Sequence, residues 1–157
     1  MALSDDILRF ANSNLGTKVG TNGECWDLAH QALIAAHADT SRNLQYIWGT
    51  TTSIVALTSG DIIQFENYSA TLRVTNDEEE LEQSWGTQHH TAIVSQILNA
   101  ERGYVEVLHQ NWESIRRVTR ERFYIRNGVT EYQGSALGIT GTVRITVSGT
   151  IRLYHAH

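Results

Sequence analysis

In the segment TNGECWDLA, residues 21–29, a loop punctuated by glycines gives way to a helical hydrophobic period. The period continues as one apolar stripe, at Cys25, Leu28, Ala29, Ala32, Leu33 and Ala36. Positions separated by three, four and seven residues lie on one face of an α-helix. The pattern therefore predicts a helix over residues 25–38, with Cys25 in its first turn and facing the core.

A second helix is predicted upstream, over residues 5–15. Ser4 is a residue type that favours the N-cap position, and Asp5 and Asp6 would place acidic side chains in the first turn, where the helix dipole favours them. The apolar positions that follow end at Gly16, which is typical of a helix stop.

The hydrophobic period changes to two after Gly60. Residues 61–65, 91–98 and 104–108 are rich in β-branched and aromatic side chains, which favours strands, and the last two runs predict a hairpin. Further strands are predicted over 115–124, 141–147 and 150–154, the last two joined at residues 148–149. The acidic run 77–82 predicts a loop or short helix, and residues 44–60 predict no firm element.

This order, helices first and then successive strands, predicts an α+β domain in which the N-terminal helices pack on one face of an antiparallel meander. The chain has 157 residues, of which 41% are hydrophobic and 18% are charged. That length favours one domain over residues 1–157 with one core, and the composition excludes general disorder.

Composition also narrows the function classes. One cysteine excludes an intramolecular disulfide and every zinc site that needs two thiolates. With 12 Lys+Arg against 17 Asp+Glu, the net charge is -5, so neither nucleic acid nor an anionic membrane is expected as a partner. Five arginines at 116–126 form a local basic segment that predicts a solvated strand or loop.

The N-terminus carries Asp5 and Asp6 where a signal peptide needs basic residues and an apolar run. No stretch approaches the roughly 18 apolar residues of a membrane helix. A cytoplasmic location is therefore the expectation from sequence.

Cys25 is the candidate nucleophile. Unpaired N–H groups and the dipole at a helix N-terminus lower a thiol pKa, although free cysteine is also among the most buried residue types. A base is available at His89-His90, directly before the strand over 91–98. Alternation groups His90 with Ala92 and His89 with Thr91, but it does not decide which face meets the cysteine helix.

A third polar group is expected at the end of the partner strand, where His109 and Asn111 share a face. The hairpin turn predicts that residue 98 pairs with residue 103. In an antiparallel pair the residue numbers of every pair have the same sum, here 201, so this register places His90 opposite Asn111.

The residues around Cys25 also resemble a known family. The segment 21–29 is similar to the cysteine motif of CHAP-type amidase/peptidase domains, relatives of the NlpC/P60 group among papain-like cysteine hydrolases. Similar blocks follow in family order at 60–65, 90–94, 107–111 and 149–154. The Gly-Glu-Cys-Trp and His-Thr-Ala blocks also resemble the cysteine-proteinase-fold domain at the ends of certain fungal actin-patch scaffold proteins. The resemblance covers about residues 5–155.

The resemblance implies a papain-like fold with Cys25 as nucleophile, His90 as general base and Asn111 as the residue that orients the imidazole. CHAP domains usually have glutamate where this sequence has His109, which would fit a site without catalytic activity. NlpC/P60 relatives use histidine as the third polar residue, so His109 is an alternative to Asn111 as the residue that orients the imidazole. Trp26 and Asn22 are candidates for substrate binding, Asn22 as an oxyanion donor.

The implied reaction is acyl transfer through a thioester of Cys25, on a peptide-like or peptidoglycan-like amide, with no cofactor. The alternative is a non-catalytic interaction module on the same fold, which predicts an unreactive Cys25 and a protein partner. A third interpretation treats the histidines as metal ligands, with or without Cys25, at His89, His90, His109, His155 and His157.

Overall fold

The computed structural model describes residues 2–157. Its helices are α1 (Leu3–Ser13) and α2 (Cys25–Ala35), followed by one turn of 3₁₀ helix at Asn43–Gln45. Its strands are β1 (Thr50–Thr51), β2 (Ile62–Thr75), β3 (Glu80–Asn99), β4 (Tyr104–His109), β5 (Thr119–Tyr124), β6 (Gly128–Ala136) and β7 (Ile139–His155). No helix within residues 2–157 has the length and apolar character needed to cross a membrane.

All these strands belong to one antiparallel sheet with the order β1-β7-β2-β3-β4-β5, and β6 pairs with β7. One edge of β7 pairs with β2 along most of its length, from Thr142 to Tyr154. Its other edge pairs with β6 near the start of the strand and with β1 near the end. The last strand therefore lies between β1 and β2.

Two apolar clusters cover the two faces of the central sheet. The helix-side core joins the apolar stripes of α1 and α2 to Trp48 and to one face of the sheet, with Ile62, Ile93 and Leu108. The inner core occupies the opposite face, with Ile63, Ala92, Val94, Val105, Val107 and Phe123. Successive residues point to opposite faces of a strand, so β2, β3 and β4 each contribute to both cores.

The sheet curls around the inner core. The distal half of β2, with Ala70 and Val74, belongs to the same buried cluster as Val105 of β4 and Phe123 of β5, although several strands separate them along the sheet. The curl begins where the pairing of β2 with β7 shifts register, between Glu66 and Ser69. There Asn67 has a φ of 51° and Gly149 has a φ of 116°.

The predicted class, two N-terminal helices on an antiparallel sheet, is confirmed. The predicted helix over 25–38 ends earlier, at Ala35, and the predicted helix over 5–15 begins earlier, at Leu3, with Ala2 rather than Ser4 as N-cap. The predicted hairpin register holds only for residues 92–94, where Ala92 pairs with His109. Two register shifts displace it near the turn, so Asn99 pairs with Tyr104, and the predicted pair of His90 with Asn111 does not form because β4 ends at His109.

Several predictions about the strands and their order were wrong. The predicted strand over 115–124 begins only at Thr119. The acidic run is a loop over 77–79, as predicted, but residues 80–82 belong to β3, where Glu82 pairs across the sheet with Arg73 and accepts a hydrogen bond from its Nε at 2.9 Å. The runs 141–147 and 150–154 form the single strand β7, because Gly149 bends the strand instead of ending it. The simple meander was also wrong, since β7 returns to lie beside β2.

Candidate functional site

Cys25 is the first residue of α2, as predicted, and it is partly exposed. The helix starts there because Asp27 caps it: the Glu24 backbone N–H donates to Asp27 Oδ2 at 3.0 Å. This contact satisfies one of the backbone donors at the helix start.

The loop that leads into Cys25 is held by Gln110, a fully buried residue after β4. Its Nε2 donates to the carbonyl oxygens of Val19 at 3.0 Å and Glu24 at 2.9 Å, and its Oε1 accepts from Val19 N–H at 2.7 Å. Sequence reasoning missed Gln110. It lies between His109 and Asn111, and alternation would have placed it on the opposite face from both.

Asn111 and Arg116 both bind the Glu24 carboxylate. Asn111 Nδ2 donates to Oε2 at 2.8 Å, and Arg116 Nη1 donates to Oε1 at 2.6 Å and to the Asn22 carbonyl at 2.7 Å. The hydrogen bond from Arg116 holds the pKa of Glu24 below its usual value, against a smaller opposing effect of burial, and Asn111 adds to the lowering. Glu24 is therefore a carboxylate directly beside the thiol.

The Cys25 thiol lies near Thr91 of β3, which acts to lower the pKa of the thiol. Burial raises the pKa of Cys25 above its ordinary value, and the charge of Glu24 raises it further. The neighbouring Thr91 and Trp26 lower it without offsetting the rise. The thiol is therefore protonated at neutral pH.

His90 points away from this site. It is 2% exposed and pairs across the sheet with Phe65, and the residues of β3 that share its face, Ala92 and Val94, belong to the inner core. Its Nε2 lies 2.9 Å from Nδ1 of His109. The structure thus brings His90 and His109 together, on the face of the sheet opposite α2. The expected pairing of His90 with Cys25 is not formed, because alternation in β3 presents Thr91 to the thiol.

Both buried imidazoles are neutral. Burial lowers the pKa of His90 to about 3, with further lowering by His109 and His89, and burial lowers the pKa of His109 to about 4. Neither ring can hold a proton at neutral pH, so neither stabilises a thiolate as an imidazolium.

His89 lies on the helix side of β3, on the same face as Thr91. Its exposed ring accepts from Gln64 Nε2 at 3.2 Å and contacts the Tyr46 ring edge-on, with centroids 4.2 Å apart. Gln64 is fully buried, and its Oε1 accepts from the Thr91 hydroxyl at 2.6 Å and from Trp48 Nε1 at 3.0 Å. A fixed polar network therefore lies beneath the thiol.

The two residues predicted to bind substrate make contacts within the protein. The indole of Trp26 stacks on His30, with centroids 4.2 Å apart, and its Nε1 donates to the Asn43 carbonyl at 2.9 Å. Asn22 contributes its backbone carbonyl to Arg116. A role for either toward a substrate stays a prediction.

The structure brings no set of metal ligands together: within residues 2–157, no three side chains of His, Cys, Asp or Glu are placed to hold a metal ion. The C-terminal histidines pair with carboxylates instead. His155 Nδ1 lies 2.7 Å from Asp61 Oδ1, and His157 Nε2 lies 3.5 Å from Asp39 Oδ2.

No curated protein and no solved structure matches the chain. A family model, described as the AIM3/BBC1 cysteine proteinase-fold domain, matches residues 2–127. That range contains both helices, strands β1 to β5, and every residue discussed around the thiol. By this match, the chain belongs to the AIM3/BBC1 cysteine proteinase-fold domain family.

Proposed function

We propose that this domain is a non-catalytic protein-interaction module that keeps the cysteine-proteinase fold. One observation carries the proposal: the histidine that the family resemblance makes the base, His90, lies on the far face of β3, where its Nε2 is 2.9 Å from Nδ1 of His109, and Thr91 lies beside the Cys25 thiol instead. A threonine hydroxyl cannot take a proton from a thiol at neutral pH, so the thiol lacks its expected base.

The pKa shifts support the same conclusion. A nucleophilic cysteine needs a pKa below that of a free thiol, and here burial and Glu24 raise it. A partner histidine needs a pKa near neutral, and burial lowers that of His90 to about 3. The proton therefore stays on the sulfur.

The third polar position has a structural role. Asn111 donates to Glu24, which precedes the first residue of α2, and so it fixes the loop before the helix. His109, the alternative orienter, is fully buried and binds His90 on the far face of the sheet. Neither residue orients a base beside the thiol.

The test is the pH dependence of alkylation of Cys25 by iodoacetamide, read by mass spectrometry. Because the chain has one cysteine, one modified mass reports one site. We expect an apparent thiol pKa above the value of about 8.5 that a free cysteine has. We also expect the same curve for His90→Gln, since that ring lies on the other face. A depressed pKa that rises in this variant would contradict the proposal.

A second candidate function is cysteine hydrolysis with His89, rather than His90, as the base. It is favoured by the position of His89, whose exposed ring lies on the same face of β3 as Thr91. The thiolate would attack a peptide-like or peptidoglycan-like amide, and His89 would protonate the leaving amine. This candidate requires the alkylation pKa to rise in His89→Gln and requires Cys25→Ala to abolish amide hydrolysis.

A further inference from the structure

The curled sheet leaves a cleft beside β5. Its volume is about 760 Å³, within the roughly 300–1,000 Å³ that is usual for small-ligand sites. Strands β2 to β6 and the turn after β4 all contribute residues to its walls. The residues described around the Cys25 thiol lie elsewhere. The cleft is therefore a second candidate site, separate from the thiol.

Aromatic rings form much of the cleft wall. Four of them keep part of their surface open to solvent: Trp85, Tyr104, Trp112 and Tyr132. Neighbouring rings hold two of these in place. Trp112 stacks on His109 with centroids 5.6 Å apart, and Tyr104 stacks on Tyr124 with centroids 4.4 Å apart. A ligand with an apolar face would therefore meet rings that need little rearrangement to receive it.

Charged side chains of both signs line the same cleft. Arg120, Glu121 and Arg122 follow one another along β5, and Glu106 and Glu113 lie on β4 and on the turn after it. Arg120 and Arg122 each lie 3.8 Å from the Glu106 carboxylate, so the two guanidinium groups share it. A ligand with a net charge of either sign would lie near like charges, whereas a neutral ligand would meet no such repulsion. The cleft therefore favours a ligand that is neutral and polar.

The cleft also has hydrogen-bonding capacity that the protein does not use. Among residues 2–157, no group pairs with the side-chain carboxylates of Glu113 and Glu121 or with the side-chain amide of Gln83. The carboxylates accept hydrogen bonds, the guanidinium groups of β5 donate them, and an amide does both. A hydroxyl group also donates and accepts. A ligand rich in hydroxyl groups would therefore pair with every polar group in this wall.

The turn that contains Glu113 is strained. Ile115 N–H donates to the Trp112 carbonyl at 3.0 Å, and the two residues between them, Glu113 and Ser114, have φ values of 52° and 65°. Positive φ at both central residues is the pattern of a type I′ turn, which favours Asn-Gly. A glutamate is costly there, and local strain of this kind collects at functional sites. The strain is an independent indication that Glu113 has a role in the cleft.

We propose that this cleft binds a short neutral oligosaccharide. The apolar C–H faces of the sugar rings would pack on the aromatic side chains. Their hydroxyl groups would donate to Glu113 and Glu121 and accept from Arg120 and Arg122, and such hydrogen bonds to charged groups are strong. A small zwitterion would fill only part of a cleft of this volume. The site goes beyond the proposed interaction module and does not depend on it.

The test is titration of the full chain with neutral hexasaccharides of glucose, of mannose and of N-acetylglucosamine, followed by isothermal titration calorimetry. We expect saturable binding of at least one of them, and added salt should change the affinity by less than about twofold because the ligand is uncharged. Charged hexamers of galacturonic acid and of glucosamine, and the small zwitterion glycine betaine, should bind at least about tenfold more weakly.

Two variants test the named side chains. Glu113→Gly removes the carboxylate and should weaken binding about tenfold or more. It should keep the urea midpoint at or above that of the parent chain, because glycine adopts a positive φ without strain. Tyr104→Leu removes one ring and should weaken binding about threefold to tenfold.

Two matched controls make similar changes outside the cleft. Glu78→Gly removes an exposed carboxylate from the turn between β2 and β3, and Phe10→Leu removes a half-buried ring from α1. Both should leave the affinity within about twofold of the parent value, since neither residue would contact the sugar.

The tryptophans locate the site separately. The chain has four, of which Trp85 and Trp112 line the cleft, whereas Trp26 and Trp48 pack in the helix-side core. In nitrogen–proton NMR spectra, the indole N–H signals of the first two should shift on titration and those of the last two should not.

Four results would each overturn the saccharide proposal. These are no saturable binding by any of the three neutral hexamers, equal losses in the variants and their controls, tighter binding of a charged hexamer or of glycine betaine, and indole shifts confined to Trp26 and Trp48. None of them would alter the alkylation curve of Cys25, so the proposed function is tested separately.

Discussion

The pair of His90 and His109 is the most unusual feature at the scale of single residues. The two rings are 2.9 Å apart at Nε2 and Nδ1, and the rings of Trp112 and Phe123 pack against them. A hydrogen bond between two imidazoles needs one ring to donate and the other to accept, and a neutral pair provides both. Protonation of either ring would place a charge in the apolar inner core.

Stability should therefore fall as the pH falls. The pKa values of His90 and His109 in the folded chain, about 3 and about 4, lie below the value of about 6.5 expected when unfolded. The unfolded state therefore binds protons first, and the free energy of unfolding is greatest above about pH 7 and decreases below about pH 6.5. The expected slope is about 1.4 kcal/mol per pH unit for each ring.

Urea unfolding at several pH values, in the parent chain and in His109→Leu, tests this expectation. The variant keeps the packing volume and removes one buried titrating group, so its slope should be shallower by about one ring's contribution, although it is less stable at pH 7. His37→Asn is the control, because His37 is exposed and has a φ of 59°, which asparagine tolerates. Equal slopes in the parent chain and in His109→Leu would mean that the pair is not buried and neutral.

Sequence could place Cys25 at a helix start, but it could not choose between the faces of β3. Alternation identifies the core side of a strand when one face is apolar and the other is polar. Here both faces are buried, since Ile93 and Val94 are each fully inaccessible. The sequence His89-His90-Thr91 therefore offered either imidazole or the hydroxyl to the thiol, and only packing selected Thr91.

Among the elements, the bend shared by β2 and β7 shapes the molecule most. Asn67 and Gly149 both have positive φ, at 51° and 116°, where the two strands change register. A Cβ atom at Gly149 would approach the Asn67 carbonyl oxygen to 2.5 Å. The bend therefore needs a residue without a side chain, and it lets both strands continue around the inner core.

Gly149→Ala should destabilise the chain through both effects. The backbone conformation costs roughly 1–2 kcal/mol for a residue with a Cβ atom, and the collision with the Asn67 carbonyl adds about 1 kcal/mol or more. Gly128→Ala separates the cost of the backbone conformation from the cost of the collision. Gly128 has a φ of 104° but no atom within 4 Å of its Cβ position, so only the conformational cost applies there. Urea unfolding of both variants gives the difference. Equal losses would show that the two strands relax around the added methyl group.

The elements that sequence missed carry apolar residues that are only partly buried, such as Leu81, Trp85 and Tyr132. The two helices were predicted because each carries its own apolar stripe. In contrast, β6 and the first half of β3 have no fully buried side chain between Gly128 and Ala136 or between Glu80 and His89. These segments are held by cross-strand polar pairs such as Arg73 with Glu82 and Gln133 with Thr142. Such pairs are visible only once the register is known.

On the scale of the whole molecule, the return of β7 to β2 joins the end of the chain to its middle. Tyr154 of β7 belongs to the helix-side core and Leu153 to the inner core. The local sequence pattern identifies these residues as β-strand. Their partner strand is decided by how the sheet closes around the inner core, and that core is built from segments far apart in the sequence. For this reason sequence predicted two strands over 141–147 and 150–154, and neither their continuity nor their place beside β2.

The two cores should unfold together. They share the central strands, since Ile62 and Ile63 of β2 lie on opposite faces and are both fully buried. Loss of the helices would expose one face of strands whose other face still packs the inner core. The expected result is one cooperative transition, in which helical circular dichroism and tryptophan fluorescence report the same midpoint.

Truncation of a side chain in one core tests whether the two cores unfold together. Leu33→Ala removes a buried side chain of α2 and should cost about 2–5 kcal/mol. Because the strands are shared, the variant should lower the midpoints of both spectroscopic probes equally, and Phe123→Leu in the inner core should do the same with a smaller loss. Ile34→Ala is the matched control, since Ile34 follows Leu33 in α2 but is 46% exposed. Trp26 and Trp48 lie in the helix-side core, and Trp85 and Trp112 pack against the inner core, so the fluorescence reports both. If the fluorescence of Leu33→Ala changed in two steps, with only the first coinciding with loss of the helical signal, the inner core would be an independent folding unit.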